Sequence, residues 1–397
     1  MQSEVVVVGA GVVGASVAFH LRRLGVGKVT LVERRARGVR CDRPVGCALV
    51  RTHYTNDPEA SLAIAALPWF TEWADRVGGD CGFVRTGFVQ LVGVDDTKLL
   101  RENVKSLQRL GATTETLAAS DIRAVVPGLA VADDESAAYE PESGYADPVA
   151  TTRGLVDAAR RLGADVRENC SVDGLLTAGG HVVGVATNDG PINAEVVVLA
   201  NGAWSNALTR PLGLDLPITA TRAQAAVVRR PAPLVGIAGH PAVIDRRNGI
   251  YARPYDADRT LVGMSSSNAD TLSDLDDVPV APGFAERARD RLAEAFPAFS
   301  GQPISHTQAG PLDVTPDHCA ILGPVDGIDG LVLAVGMSGS GFKKAPAIGA
   351  CLAELIQDGQ ATSADLRPFS YHRFARGAQI ERRDYRMGAG GGTALVH

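Results

Sequence analysis

The chain has 397 residues, 45% hydrophobic and 21% charged, a balance that excludes a largely disordered protein. Its 44 glycines follow no Gly-x-y period, which excludes a collagen-like polymer, and 39 basic against 45 acidic side chains leave no positive excess for a nucleic-acid backbone. Two or three domains, with a core deep enough to bury a cofactor, are expected at this length.

Cys41, Cys47, Cys81, Cys170, Cys319 and Cys351 show no C-x-x-C spacing, and no His or carboxylate cluster completes a metal site. Reduced thiols, no bound metal and a cytoplasmic location are therefore expected. Residues 1–8 lack the basic leader of a secretory signal. No stretch reaches the roughly 18 apolar residues a membrane span needs. Lysine is scarce: Lys28, Lys98, Lys105, and the adjacent pair Lys343-Lys344.

In chain order, Val5-Val6-Val7-Val8 predicts one buried parallel strand, followed at once by Gly9-Ala10-Gly11-Val12-Val13-Gly14. Val17, Leu21 and Leu24 then recur at helical spacing up to Gly25, and a second strand over 28–32 ends in Glu33. Strand, G-x-G-x-x-G, helix, strand and acid form the dinucleotide-binding fingerprint. Gly9 permits the tight turn, Gly11 lets backbone approach a pyrophosphate, and Gly14 lets helix pack on strand. Glu33, 19 residues after Gly14, can accept hydrogen bonds from a ribose. The segment does not by itself separate FAD from NAD, and Arg34 and Arg35 keep an NADP reading open.

Helices are predicted over 59–77, 95–110, 149–162, 282–296 and 345–357. Trp69, Phe70 and Trp73 share the first of these and are expected in the core. Asn188-Asp189-Gly190 separates two β runs within 182–200 as a hairpin turn does, and the second run enters the small-residue turn 200–205. No repeat or low-complexity linker divides the chain. Two nucleotide-type segments some distance apart predict an α/β protein: a discontinuous Rossmann-like domain (1–79, 146–219 and 311–397) with an inserted mixed-sheet α+β domain (80–145 and 220–310). The glycine-rich stretch 388–392 is expected to be mobile.

A last strand over 330–335 leads into Gly336-Met337-Ser338-Gly339-Ser340-Gly341-Phe342-Lys343-Lys344. This is not a phosphate P-loop, because Phe342 intervenes before Lys343 and Lys344 takes the hydroxyl position. It is not a hydrolase elbow either, since no serine has the G-x-S-x-G spacing. What remains is a helix N-terminus with close backbone approach and a lysine, suited to negative charge on a flat ligand.

Gly9-x-Gly11-x-x-Gly14 with Glu33, the segment 197–205, Thr315-Pro316-Asp317 followed by Ile321-Leu322-Gly323-Pro324, and the loop 336–343 with Ala345-Pro346-Ala347-Ile348-Gly349 occur in a telling order. Over about residues 4–360 the chain resembles the D-amino-acid oxidase-like FAD-dependent oxidoreductases, in particular their sarcosine oxidase branch. The resemblance implies FAD contacts at Gly9, Gly11, Val12, Val13, Gly14, Glu33, Arg34, Val172, Ala200, Gly202, Trp204, Gly339, Ser340, Gly341, Phe342 and Lys343. It implies that Arg51 and Lys343 bind a substrate carboxylate, and that Tyr251 walls the substrate pocket. A structural ion pair for Arg51 and core packing for Tyr251 are the alternatives. The implied reaction is oxidation of the C–N bond of a small amino acid or N-alkyl amino acid to an imine, by hydride transfer to the flavin. Two other readings are a flavoenzyme acting on a 2-hydroxy acid or a biosynthetic intermediate, with His53 as base, and a flavin-binding subunit without turnover of its own.

The sequence also departs from the family pattern. Cys41-Asp42-Arg43-Pro44-Val45-Gly46-Cys47 replaces the usual Ser/Gly-rich turn, so that loop is expected to be rebuilt. Gly310 stands where sarcosine oxidases carry the FAD-linking cysteine, which implies non-covalent FAD, with Cys319 and Cys47 as weaker sites of attachment. No lysine occurs within Thr260-Leu261-Val262-Gly263, so the electron acceptor is molecular oxygen or another molecule. Leu312 replaces the glycine-oxidase type of arginine, which favours the Arg51 and Lys343 arrangement.

Overall fold

The structure is a computed structural model that describes residues 2–36, 47–234, 240–264 and 270–386. The expectations for 41–46 and for 388–392 lie outside the described residues.

The valine run forms the strand Gln2–Val8 at the middle of an eight-stranded sheet, pairing in parallel with Val29–Val32 and with Ile192–Leu199. The order across the sheet is Ile321–Val325, Ile328–Val335, Ile192–Leu199, Gln2–Val8, Val29–Val32 and Asp165–Arg167, with the antiparallel pair Val172–Ala178 and His181–Thr187 branching from Ile192–Leu199. Strands covered on both faces need continuous apolar runs, and Val5, Val6, Val7, Val197 and Val198 are all buried. Helices Val12–Arg23, Pro148–Arg161 and Gly341–Asp358 cover this sheet. A Cβ on Gly349 would lie 2.2 Å from Ser16 Oγ, so the first and last of these helices meet almost backbone to backbone.

The second sheet runs Ile304–Val314, Thr219–Arg229, Arg259–Met264, Ile250–Pro254, Ala242–Asp245, Phe88–Val92, Ser136–Glu140 and Glu115–Ala118. It is mixed: Ala242–Asp245 pairs in parallel with Phe88–Val92 and the other pairings are antiparallel. Phe284, Ala288 and Leu292 of helix Phe284–Ala295 share a core with Val89, Leu91, Val243 and Val262. Two separate stretches of chain build this sheet, so the fold is a discontinuous Rossmann-like domain carrying an inserted mixed α+β domain, as expected.

Two helix expectations shift. The helix expected over 59–77 forms as Asp57–Thr71 and Trp73–Arg76, because Glu72 leaves helical geometry at φ −118°, ψ 29°. The helix expected from 345 starts at Gly341, which carries Pro346 past the first turn and puts Lys343 and Lys344 inside it. Trp69, Phe70 and Trp73 do pack in the core. No helix among the described residues is long and apolar enough to cross a membrane, and no metal-binding cluster occurs among them.

Candidate active site

The first glycine turn is built by close contact. Gly9 adopts φ +100°, and a Cβ there would lie 2.7 Å from Ala200 O; a Cβ on Gly14 would lie 1.9 Å from Gly9 O. Only glycine fits either position. Gly11 differs, because a Cβ there meets nothing within 4 Å and points at open space. The Glu33 carboxylate accepts hydrogen bonds from Ala10 N at 3.0 Å and Arg35 N at 3.2 Å, which holds it against the turn.

These residues open on a cavity of about 890 Å³, towards the top of the range of about 300–1,000 Å³ for cofactor sites. Gly9, Gly11, Val12, Val13, Glu33, Arg34, Val172, Ala200, Gly202, Trp204, Gly339, Gly341 and Phe342 line it. The N-termini of helices Val12–Arg23 and Gly341–Asp358 both meet it, offering backbone N–H groups to negative charge. Gly14 lies behind the turn, Ser340 faces a second cavity, and Lys343 lines neither. Gly310 and Leu312 line the large cavity, whereas Cys47 and Cys319 do not.

Two wall features escape sequence reasoning. Asp276 comes from the inserted domain and pairs with Arg34 and Arg35 across the cavity rim, while the Arg34 guanidinium lies 4.4 Å from the Trp204 ring centre. Asp313 accepts hydrogen bonds from Gly336 N at 2.6 Å and Met337 N at 3.1 Å, tying strand Ile304–Val314 to the C-terminal glycine loop. Burial pushes the Asp313 carboxyl up to about 6 against the pull of these N–H groups.

The loop over 336–341 separates two spaces. Gly339 and Gly341 face the large cavity, and Ser338 and Ser340 face a smaller one of about 30 Å³. Arg51, His53, Tyr54, Gln90, Arg246, His318, Arg382 and Tyr385 are among its lining residues. Arg51 is buried, donates to His53 O, and stacks its guanidinium 4.6 Å from the Tyr54 ring centre and 5.4 Å from that of Phe88. The Lys343 ammonium lies 5.9 Å from the same Tyr54 ring. So the structure brings Arg51 and Lys343 to one aromatic ring from separate segments.

The two adjacent lysines have different electrostatic settings. Lys344 pairs with Glu59 in the interior, and this partner raises its pKa despite burial. Burial favours the neutral Glu59 acid, but Lys344 and Arg382 outweigh it and hold the carboxyl down at about 2. Lys343 is equally buried with no carboxylate partner among the described residues, and burial, then Arg51 and Lys344, lower its pKa. Tyr54 registers the resulting positive field: burial would raise its pKa, yet Lys343, Lys344 and Arg51 together lower it.

His53 Nε2 lies 2.9 Å from Tyr385 Oη and 3.2 Å from Asn103 Nδ2. An amide nitrogen only donates, so Nε2 accepts and the proton of the neutral ring sits on Nδ1. Burial, then Arg51 and Arg246, push the His53 pKa down to about 3, which keeps the ring neutral. In this tautomer Nδ1 is a donor and not a base. Tyr251, expected as a pocket wall, is instead buried among Cys47, Leu49 and Phe88, donates to Gln224 O at 3.3 Å and lines neither cavity.

Gln90, Arg246, Arg382 and Tyr385 have no sequence spacing to announce them. Arg382 and Tyr385 arrive on an extended C-terminal segment whose anchor is Asp317: its carboxylate pairs with Arg373 at 2.7 Å and accepts from Ile380 N at 3.2 Å.

The family profile described as "DAO: FAD dependent oxidoreductase" matches residues 4–355. Glycine oxidase of Pseudomonas aeruginosa is 29% identical, the match covering 93% of this chain and 99% of that protein. Sarcosine oxidase subunit beta of an Arthrobacter species is 27% identical over 95% of this chain and 92% of its own length. The crystal structure of L-proline dehydrogenase from P. horikoshii superposes with a TM-score of 0.86 and 26% identity, covering 96% of this chain and 99% of that one. With a family match across most of its length, the chain belongs to the DAO family of FAD-dependent oxidoreductases.

Proposed function

We propose that this enzyme oxidises the C–N bond of a small amino acid or N-alkyl amino acid to an imine, with the substrate carboxylate held by Arg51 and Lys343. One observation carries the reading: two buried cations from separate segments bear on the Tyr54 ring, and the Lys343 ammonium has no carboxylate partner among the described residues, whereas Lys344 has Glu59. Glycine oxidase and sarcosine oxidase relatives act on such amines by name, and the glycine-loop lysine supports a place beside the sarcosine oxidase branch.

The residues present fit FAD. Gly9, Gly11, Glu33, Val172 and Trp204 would hold its nucleotide half, with Gly339, Gly341 and Phe342 beside the ring system. Bound FAD supplies the hydride acceptor. We take its attachment as non-covalent, because neither Cys47 nor Cys319 reaches the large cavity. Cys81, Cys170, Cys319 and Cys351 are buried free thiols, which supports a reducing, cytoplasmic setting.

The chain itself contributes orientation and field. A substrate carboxylate gives Arg51 and Lys343 charge-assisted hydrogen bonds and compensates both buried charges. The same positive field disfavours an ammonium, so the amine is held neutral with its lone pair available. No dedicated base is then needed. A 2-hydroxy acid would need one, and the basic nitrogen of His53, Nε2, is already engaged by Tyr385 and Asn103.

The test is anaerobic titration of the FAD-loaded protein with carboxylated amines, followed by loss of visible flavin absorbance. A parallel peroxide assay in air distinguishes oxygen from another acceptor. Bleaching by at least one such amine is expected, with weaker binding in Lys343→Met and Arg51→Ala. No bleaching by any of them overturns the reading in favour of a flavin-binding subunit. Unchanged affinity in both variants overturns the carboxylate clamp.

A further inference from the structure

Buried polar groups are normally hydrogen-bonded, so a cluster of unsatisfied ones needs an explanation. Arg51 Nε, His53 Nδ1, Tyr54 Oη, Gln90 Nε2, His318 Nδ1 and Arg382 Nε are all buried and lack a hydrogen-bond partner among the described residues. All six side chains line the same small cavity. Four of the six atoms, on Arg51, Gln90 and Arg382 and on His53 in its assigned tautomer, are obligate donors. A single carboxylate held by Arg51 and Lys343 leaves the Gln90 and Arg382 donors unanswered.

Gln90 makes the point sharply. It is 3% exposed and interrupts an otherwise apolar strand, Phe88–Val92. Arg382 comes from a different segment and donates to Asp384 at 2.9 Å through its terminal nitrogen, while its buried Nε has no hydrogen-bond partner among the described residues. The ion pairs Lys344–Glu59 and Arg382–Asp384 cancel locally, while Arg51 and Lys343 add positive charge to the surroundings and the field of the buried Arg246 reaches His53 on the same cavity wall.

The geometry points to a second anion subsite in which Gln90 Nε2 and Arg382 Nε–H, with Arg246 supplying field, receive a second carboxylate, so that the substrate is a short amine bearing two carboxylates. This rests on the amine-oxidation reading for the chemistry but not for the binding. With about 30 Å³ free, the cavity has room for about two water-sized groups. A carboxylate group alone is about that size, whereas a bulky apolar side chain is not.

Binding is tested without turnover by calorimetric titration of the FAD-loaded protein with unreactive acids of matched length: succinate against butyrate, and glutarate against pentanoate. At least one dicarboxylate is expected to bind about tenfold or more tighter than its monocarboxylate partner. Gln90→Leu and Arg382→Met are each expected to reduce that preference to about threefold or less. Equal affinities in the native protein, or an unaltered preference in both variants, overturn the subsite. The substrate arm compares flavin bleaching by glutamate, aspartate and N-methylglutamate with bleaching by alanine and N-methylalanine. Monocarboxylates that bleach with equal or better apparent affinity overturn the inference and leave amine oxidation standing. If no amine bleaches the flavin, amine oxidation fails and the calorimetric preference still decides whether the subsite exists.

Discussion

Replacing each lysine of the Lys343-Lys344 pair by methionine separates two roles that the sequence places side by side. Lys344 is fully buried and its partner Glu59 is 2% exposed. In Lys344→Met the Glu59 carboxylate keeps only neutral donors, Asn56 Nδ2 at 3.2 Å and Ser340 Oγ at 3.4 Å. Stranding one partner of a buried pair costs about 3–5 kcal/mol. With an unfolding entropy of about 2.1 cal/mol/K per residue over 397 residues, the melting temperature falls by about 4–6 °C. Lys343→Met instead removes a buried cation with no carboxylate partner among the described residues. Its melting temperature should hold or rise, while a lost charge-assisted bond of about 1.5–3 kcal/mol weakens substrate binding roughly 10- to 150-fold.

The pH dependence separates the two lysines further. The folded Glu59 pKa is depressed from 4.5 to about 2, so its contribution is complete above 4.5 and is lost as pH falls towards 2. Lys344→Met flattens that acid limb and Lys343→Met keeps it. Melting curves of the FAD-loaded protein, with substrate affinity from anaerobic flavin reduction, read both effects. Adding Glu59→Gln to Lys344→Met should recover much of the lost stability. Equal destabilisation by the two single variants would refute the assignment of distinct roles.

Gly11→Val places its side chain in open cavity space, so the apoprotein should melt as the native protein does while FAD binding weakens by roughly a hundredfold or more. Gly14→Ala, whose Cβ would meet Gly9 O at 1.9 Å, should instead destabilise the apoprotein; apoprotein melting curves and flavin titrations tell the two apart. Asp313 has its folded pKa raised from 3.8 to about 6, so the native state binds the extra proton and stability falls as pH rises across that window. Asp313→Asn, which keeps an acceptor for Gly336 N and Met337 N, should remove that decline; an unchanged slope contradicts the assignment. Arg373→Met strands the buried Asp317 carboxylate at about 3–5 kcal/mol, and it should hasten proteolysis after residue 380, where Ile380 N rests on that carboxylate.

The nucleotide half of the site was legible because its signals are local. A valine run, three glycines at fixed spacing and a terminal acid lie within about 30 residues and map onto one strand-turn-helix-strand unit. Gly9 and Gly14 each have a steric reason in the structure, and Gly11 opens on the cavity instead. The hairpin also followed from contiguous residues, and its strands His181–Thr187 and Ile192–Leu199 flank the expected turn. Tyr251 was harder to place, since Ile250–Pro254 is buried along its whole length and offers no alternation to separate a core tyrosine from a pocket wall. The start of the last helix was hidden by Pro346, which reads as a first-turn residue and sits one turn further in.

The small cavity was illegible for a different reason: its donors come from segments near residues 51, 90, 246, 318 and 382, joined only by tertiary packing. Thr315-Pro316-Asp317 illustrates the gap. In the sequence it served as a mark of kinship with no task attached. In the structure Thr315 ties to Ser338 in the glycine loop, and Asp317 clamps Arg373 and Ile380. That clamp directs the C-terminal segment back over the cavity, where Tyr385 meets His53 and Arg382 joins the guanidinium wall. A motif that reads as local is thus the joint through which the last residues of the described chain reach the site. Disrupting it should alter ligand binding some distance away as well as stability.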